Sequence, residues 1–190
     1  MAKLNLPTLQ TDRLTLNKVS LDDAPAMFEL FSNEAVVAYY NLAQFSDIGQ
    51  ARTLIEALQS QFDANNGIRW AIRLIGSSRL IGSCGFNSFN ERSRSTVIGY
   101  DLLPEFWGKG IAFDAVNAMI TCLYKDQVID SPINRIQADT VPGNDASEKL
   151  LLKLGFEKEG LRRQSGYWKD AYHDLNCFSL IKSDFLAQKT

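Results

Sequence analysis

The chain has 190 residues, 45% of them hydrophobic, and a formal net charge of −2 at pH 7, which favours one soluble domain and argues against a general nucleic-acid-binding surface. No apolar run approaches the roughly 18 residues that a membrane span needs, so no membrane association is expected. The three cysteines are far apart and there is one histidine, so we expect reduced thiols, a cytoplasmic location and no metal site.

Hydrophobic periodicity predicts the element order β-α-α-β-β-β-α-β-α-β-β. The seven predicted strands cover residues 14–19, 68–75, 80–89, 95–103, 135–141, 156–161 and 172–182. The four predicted helices begin near Ser20, Asp47, Ile111 and Asn144. This order favours an α/β fold in which helices cover both faces of a mixed sheet.

The most informative segment is the turn between the fourth strand and the third helix, Trp107 to Ala112. It contains Gly108 and Gly110 and no acidic side chain. The N–H groups at such a helix start are unpaired and lie at the positive end of the helix dipole, and glycines let an anion approach them. We interpret the segment as a phosphate-binding loop. An ordinary strand-to-helix turn is the alternative.

Two common phosphate-binding patterns do not fit this loop. The Walker A pattern requires Ser or Thr after the lysine, and Gly110 follows Lys109 here. The dinucleotide-binding fingerprint requires a third small residue where the chain has Phe113.

The loop instead resembles the pyrophosphate loop of the GCN5-related N-acetyltransferase superfamily, Gln/Arg-x-x-Gly-x-Gly/Ala, with Trp107 at the first position. Residues 144–156 resemble a second block of that superfamily, Asn-x-x-Ser followed by a helix that ends in Leu-Gly-Phe. Residues 11–16 are similar to the Thr-x-Arg-Leu-x-Leu start of its RimJ/RimL-type branch, and Ile98-Gly99-Tyr100 also fits that branch. The resemblance covers about residues 8–185 and implies a single N-acetyltransferase domain over 1–190.

The resemblance implies a central, mixed, mostly antiparallel seven-stranded sheet that is splayed between strands four and five. It also implies acetyl-CoA as the donor and a primary amine, such as a protein N-terminus, as the acceptor. Asn144, together with free amides near Leu102 and Leu103, would then hold the pantetheine chain. The residues expected to bind the pyrophosphate are Trp107, Gly108, Lys109, Gly110, Ile111 and Ala112.

For catalysis, the resemblance indicates Ser147 as the hydroxyl nearest the leaving thiol, because Leu151 stands where related enzymes carry a tyrosine. Asn144 and Ser147 have an alternative interpretation as an N-cap and a first-turn residue. Val97 stands where this branch often has a glutamate, which leaves Glu105 and Asp101 as candidate bases. The alternative is that both carboxylates are merely solvated. Deprotonation would then use a base that acts through water, or the enzyme would capture an amine that is already neutral.

The acceptor site is expected in the least patterned segments. Tyr39 and Tyr40 lie between the first two predicted helices, and Tyr167 and Trp168 lie in a predicted loop at 163–173. These aromatic side chains would line a pocket, and packing under a long loop is the alternative. A polyamine or an aminoglycoside-like amine is an alternative acceptor, a non-catalytic acyl-CoA sensor is an alternative function, and monomer and homodimer both stay open.

Overall fold

Eight strands form one sheet within residues 2–188, the part of the chain that this computed structural model describes. The strands are β1 (Leu9–Gln10), β2 (Leu14–Lys18), β3 (Ile68–Leu74), β4 (Gly82–Asn90), β5 (Ser95–Leu102), β6 (Arg135–Thr140), β7 (Glu157–Trp168) and β8 (Ala171–Ile181). The α-helices are α1 (Ala24–Phe31), α2 (Glu34–Val37), α3 (Ile48–Asp63), α4 (Ile111–Tyr124), α5 (Asp145–Lys153) and α6 (Lys182–Ala187). In this range, no helix combines the length and the hydrophobicity needed to cross a membrane.

The sheet has the order β1-β2-β3-β4-β5-β6-β8-β7, and among the described residues only the β5–β6 pair is parallel. Both faces are buried, as β3 illustrates. Trp70 and Ile72 pack with α4 in one hydrophobic cluster, whereas Ala71 packs with α1 and α3 in the other. The predicted class, a mixed and mostly antiparallel sheet with helices on both faces, is confirmed.

The number of strands was predicted wrongly, because the sheet has eight strands and not seven. The additional strand, β1, has two residues and pairs with β2 through Leu9 and Leu16. Two residues are too few to show the alternation by which strands are recognised in a sequence.

The splay between β5 and β6 is present. Only residues 95–97 of β5 pair with β6, opposite residues 135–137. Beyond Val97 the two strands separate, so residues 98–102 of β5 pair with no strand on this edge in the described part of the chain. This opening, at the fourth and fifth predicted strands, agrees with the predicted position.

The last two strands form a longer hairpin than the sequence suggested. The predicted loop at 163–173 is wrong, since β7 continues to Trp168 and β8 begins at Ala171. Two register shifts in β7 disturb its alternation, and its side chains are mostly exposed. The turn uses Lys169 and Asp170, both at positive φ, whereas such turns usually carry Asn-Gly or Asp-Gly. The sequence therefore lacked the usual signal of a tight hairpin.

Candidate active site

The loop between β5 and α4 presents a row of main-chain donors. A 3-10 turn at Pro104–Phe106 follows β5, and Trp107 donates its N–H to the Pro104 carbonyl. From Gly108 to Ala112, no N–H group donates to another residue within 2–188. Gly110 is the N-cap of α4 and has no side chain that could accept these donors. The free N–H groups therefore lie at the positive end of a 14-residue helix.

The two glycines give the loop its shape. Gly108 and Gly110 have φ values of +70° and +75°, which residues other than glycine rarely adopt. A Cβ atom at position 108 would meet nothing within 4 Å, so open space lies beside the backbone there. Exposed donors with space beside them fit the negative charge of a diphosphate.

Arg13, directly before β2, anchors this loop to the first turn of α4. Its Nη1 atom donates to the carbonyl of Lys109 at 2.9 Å, and its Nε and Nη2 atoms donate to Asp114 Oδ2 at 2.9 and 2.6 Å. The Lys109 carbonyl is therefore turned towards Arg13. Sequence analysis identified Arg13 as part of a motif but gave it no role, because its partners lie about a hundred residues away.

The side chains of Trp107 and Lys109 contact neighbouring residues of the loop region. The Trp107 indole donates Nε1–H to the carbonyl of Leu102 at 2.7 Å, so it closes the end of β5. Lys109 Nζ lies 5.9 Å from the centroid of the Phe106 ring. Both side chains belong to exposed residues, and neither contact occupies the row of free N–H groups.

Leu102 and Leu103 are buried through their side chains, so any role at the opening must come from their main chain. Leu103 donates its N–H to Ile81 on the β4 side. Because successive residues of a strand turn their N–H groups to opposite edges, the Leu102 N–H points to the edge that β6 has left. Trp107 occupies the carbonyl on this edge and leaves that N–H available.

Ser147 and Tyr100 meet across the opening. Tyr100, on β5, has its hydroxyl oxygen 2.5 Å from Ser147 Oγ, on the first turn of α5. Burial raises the pKa of Tyr100 to about 12, while the hydrogen bond with Ser147 acts in the opposite direction. Tyr100 is a site residue that sequence analysis missed, although it belongs to the quoted Ile98-Gly99-Tyr100 motif.

The first turn of α5 is firmly anchored. Asn144 is the N-cap, and its Oδ1 atom accepts the Ser147 N–H at 3.3 Å. Glu148 accepts hydrogen bonds from Asn176 at 2.6 Å, Thr140 at 3.3 Å and Lys158 at 3.2 Å. Desolvation alone would raise the pKa of Glu148, but these bonds outweigh it and lower the pKa. The capping role of Asn144 still leaves its Nδ2 donor without a partner within 2–188.

The candidate bases lie apart from Ser147. Glu105 forms an exposed ion pair with Arg79 at 3.0 Å. Asp101 is buried, and its carboxylate accepts hydrogen bonds from Arg69 and from both the N–H and the hydroxyl of Ser83. Neither carboxylate contacts Ser147 in the described part of the chain, and the one on Asp101 is closed off from an incoming amine.

Tyr39 and Tyr40, two of the four aromatic residues predicted to line the acceptor site, form hydrogen bonds through their hydroxyls. Tyr39, half exposed, donates to the Gly143 carbonyl at 3.0 Å, next to Asn144. Tyr40 turns inward instead, where its hydroxyl donates to Asp101 at 3.1 Å and accepts from Arg69 at 3.0 Å. Burial raises the pKa of Tyr40 to about 12, so this hydroxyl is a structural donor.

Tyr167 and Trp168 lie at the tip of the β7–β8 hairpin. Tyr167 is exposed and packs against Tyr172, while Trp168 stacks on His173 with the ring centroids 4.1 Å apart. Lys169 in the turn donates to the Val37 carbonyl of α2 at 2.7 Å. The structure thus brings the two predicted acceptor segments together, around residues 37–40 and 167–169.

Comparisons with known proteins agree with this geometry. Residues 13–157 match the family model of the acetyltransferase (GNAT) domain. A Bacillus subtilis (strain 168) protein named uncharacterized N-acetyltransferase YoaA is 36% identical over 93% of this chain and 97% of its own length. The Escherichia coli (strain K12) [ribosomal protein uS5]-alanine N-acetyltransferase is 34% identical over 48% of this chain and 47% of its own length. RimL, a ribosomal L7/L12 α-N-protein acetyltransferase solved with coenzyme A, aligns with a TM-score of 0.78 at 21% identity, over 93% of this chain and 97% of that one.

Proposed function

The chain belongs to the acetyltransferase (GNAT) family, and from this premise we propose that it transfers the acetyl group of acetyl-CoA to the α-amine of a protein N-terminus. The observation that carries the proposal is the row of free N–H groups at Gly108–Ala112 beside the open edge of β5. Two relatives that align with more than 90% of the chain are named N-acetyltransferases, which supports the reaction class. We further propose that one domain, about residues 8–185, carries the activity.

The donor side of the proposal rests on main-chain groups. The amides of residues 108–112 bind the diphosphate, and Lys109 adds a mobile positive charge. Trp107 supports the end of β5 through Leu102 and not through a phosphate contact. The Leu102 N–H and the Asn144 side chain hold the pantetheine arm in the opening between the strands.

For the transfer step, we propose Ser147 as the proton donor to sulfur. The amine nitrogen supplies the electron pair of the new C–N bond, and the pair of the C–S bond leaves with sulfur. Ser147 Oγ gives its hydrogen to that sulfur, and the proton released by nitrogen restores the hydroxyl. Donors fixed before the reaction stabilise the charge that develops on the departing group.

The engagement of the Glu148 and Asp101 carboxylates by other residues favours an α-amine as the acceptor. Glu148 is engaged by three donors, and Asp101 is buried among Arg69 and Ser83. An N-terminal amine, with a pKa of about 7.7–8.0, is partly neutral at pH 7, whereas a lysine amine, with a pKa of about 10.4, needs a base. Glu105 remains the candidate for relaying that released proton through water to Ser147 Oγ.

The names of two similar proteins point to the same class of acceptor. One is named for the alanine of ribosomal protein uS5, and the other is described as an α-N-protein acetyltransferase. Tyr39 and the tip of the β7–β8 hairpin, which carries Tyr167 and Trp168, would then border the peptide.

The experiment measures thiol release from acetyl-CoA with a panel of acceptors. The panel contains a peptide with a free N-terminus and one lysine, the same peptide with a blocked N-terminus, a polyamine and an aminoglycoside. We expect turnover with the free peptide and none with the blocked one. A preference for the polyamine or the aminoglycoside would contradict the proposed acceptor. Tight CoA binding without turnover of any amine would indicate the sensor.

A further inference from the structure

The hydroxyls of Tyr100, on β5, and Ser147, on the first turn of α5, meet at the opening between β5 and β6. The two oxygens lie 2.5 Å apart, and Tyr100 Oη is also 3.5 Å from the Ser147 carbonyl. Tyr100 is held by a central strand, and Ser147 is held by a capped helix start. The contact therefore joins two rigid elements, and it is not an accidental meeting of surface side chains.

Either hydroxyl could supply the hydrogen in this contact. Burial favours the neutral phenol, since the pKa of Tyr100 is raised to about 12. A phenol is more acidic than an aliphatic hydroxyl, which favours Tyr100 as the donor and Ser147 Oγ as the acceptor. The hydrogen of Ser147 itself is then free to point elsewhere. The backbone of Ser147 is already fixed by Asn144, which leaves the hydroxyl rotation as the one freedom that Tyr100 removes.

We propose that Tyr100 is a positioning residue for the transfer step: it donates to Ser147 Oγ and so directs the hydrogen of Ser147 to the leaving sulfur. When Ser147 gives up that hydrogen, the bond from Tyr100 stabilises the negative charge that grows on Oγ. Tyr100 keeps its own hydrogen throughout. The inference rests on the proposed role of Ser147 in acetyl transfer, and not on the identity of the acceptor.

The test is a double-mutant cycle with Tyr100→Phe and Ser147→Ala. It uses whichever primary amine the wild-type protein acetylates fastest, so that rejection of N-terminal peptides would overturn the acceptor proposal alone. We expect Tyr100→Phe to lower kcat about tenfold and Ser147→Ala about a hundredfold, with the KM for acetyl-CoA and the Kd for CoA unchanged. The double variant should be no slower than Ser147→Ala, because Tyr100 acts through Ser147.

Two controls separate positioning from folding. Tyr124→Phe removes another buried hydroxyl, at the C-terminal end of α4, which donates to the Leu180 carbonyl of β8 at 3.0 Å, and this variant should keep the wild-type kcat. Ser147→Thr retains a hydroxyl within reach of Tyr100 and should recover part of the rate lost in Ser147→Ala. The Ser147 comparison also tests the hydroxyl pair should Tyr100→Phe fail to fold.

A second acetyl donor, with a different leaving group, tests the protonation step directly. With acetyl-seleno-CoA, whose selenol is far more acidic than a thiol, the departing group needs no proton, and the Tyr100→Phe defect should shrink. The inference would be overturned by any of three outcomes. These are a wild-type kcat in Tyr100→Phe, a double variant slower than Ser147→Ala by the full factor of Tyr100→Phe, and a Tyr100→Phe defect that is equal with the seleno donor. Equal rates of Ser147→Thr and Ser147→Ala would overturn it as well.

Discussion

The regions of this molecule that are proposed to bind the acetyl donor and the acceptor are built from different chemical groups. The donor region, from the open edge of β5 to the first turn of α4, is made of main-chain N–H groups that face space. The acceptor region is made of side chains that bridge separate segments, such as Tyr39 to Gly143 and Lys169 to Val37. Main-chain sites require particular residues at fixed spacing, whereas bridging contacts require only that the fold bring two segments together.

Gly110→Asp should have the largest effect and tests the donor region itself. The new carboxylate would lie among the free N–H groups that are proposed to hold the diphosphate, next to Arg13. We expect the affinity for CoA to fall tenfold or more, a loss of about 1.4 kcal/mol or above, by calorimetry.

The matched control is Gly110→Asn, which has nearly the same shape and tolerates the positive φ of this position equally well. Its affinity for CoA should stay within about threefold of the wild type, because no charge is added. An equal loss in both variants would mean that strain or the contact with Arg13 governs the loop, and that charge does not.

Arg13→Ala asks whether the main-chain site depends on a side chain after all. Without the bonds from Arg13 to Lys109 and Asp114, the loop loses its support, and the CoA affinity should fall about fivefold, close to 1 kcal/mol. Arg13→Lys restores the charge without the planar fork and should recover only part of the loss.

The control is Arg79→Ala, because Arg79 is equally exposed and also forms ion pairs, with Glu29 and Glu105. Its CoA affinity should not change. If the Arg13→Ala and Arg79→Ala variants lose the same affinity, the effect is one of overall charge, and Arg13 does not support the loop.

The same contrast explains how much the sequence could predict. The loop at Trp107–Ala112 was singled out by its two glycines, which do lie at positive φ, and the splay was implied by the family resemblance. Tyr100 was missed as a partner of Ser147, since 47 residues separate them and no local pattern marks the pair. The inward turn of Tyr40 was missed for the same reason.

The prediction for the β7–β8 hairpin failed for a different physical reason. Its exposed residues carry no hydrophobic period, and its turn places Lys169 and Asp170 at positive φ without a glycine. Predictions from the sequence were therefore accurate where burial or glycine geometry constrains the residues, and poor where a strand projects beyond the core.

Tyr39→Phe tests the acceptor region with a smaller expected effect. The hydrogen bond to the Gly143 carbonyl links the segment after α2 to the loop that precedes Asn144. Its loss should raise the KM for the acceptor about threefold, roughly 0.7 kcal/mol, while the Kd for CoA stays constant. Tyr172→Phe is the control, as no partner for the Tyr172 hydroxyl is found within residues 2–188. A change in CoA affinity alone would place Tyr39 in the donor region and break the comparison.

Lys169→Met should have the smallest effect and probes whether the two acceptor segments act together. Met keeps the length of the side chain but cannot donate to the Val37 carbonyl, so the hairpin tip loses its link to α2. One partly exposed hydrogen bond contributes little, so the KM for a peptide acceptor should rise only about twofold. Lys125→Met, at the far end of α4, removes the same charge and should leave that KM unchanged. Equal changes in both variants would show that peptide binding responds to net charge, whereas a change confined to Lys169→Met would show that the hairpin and α2 form one acceptor surface.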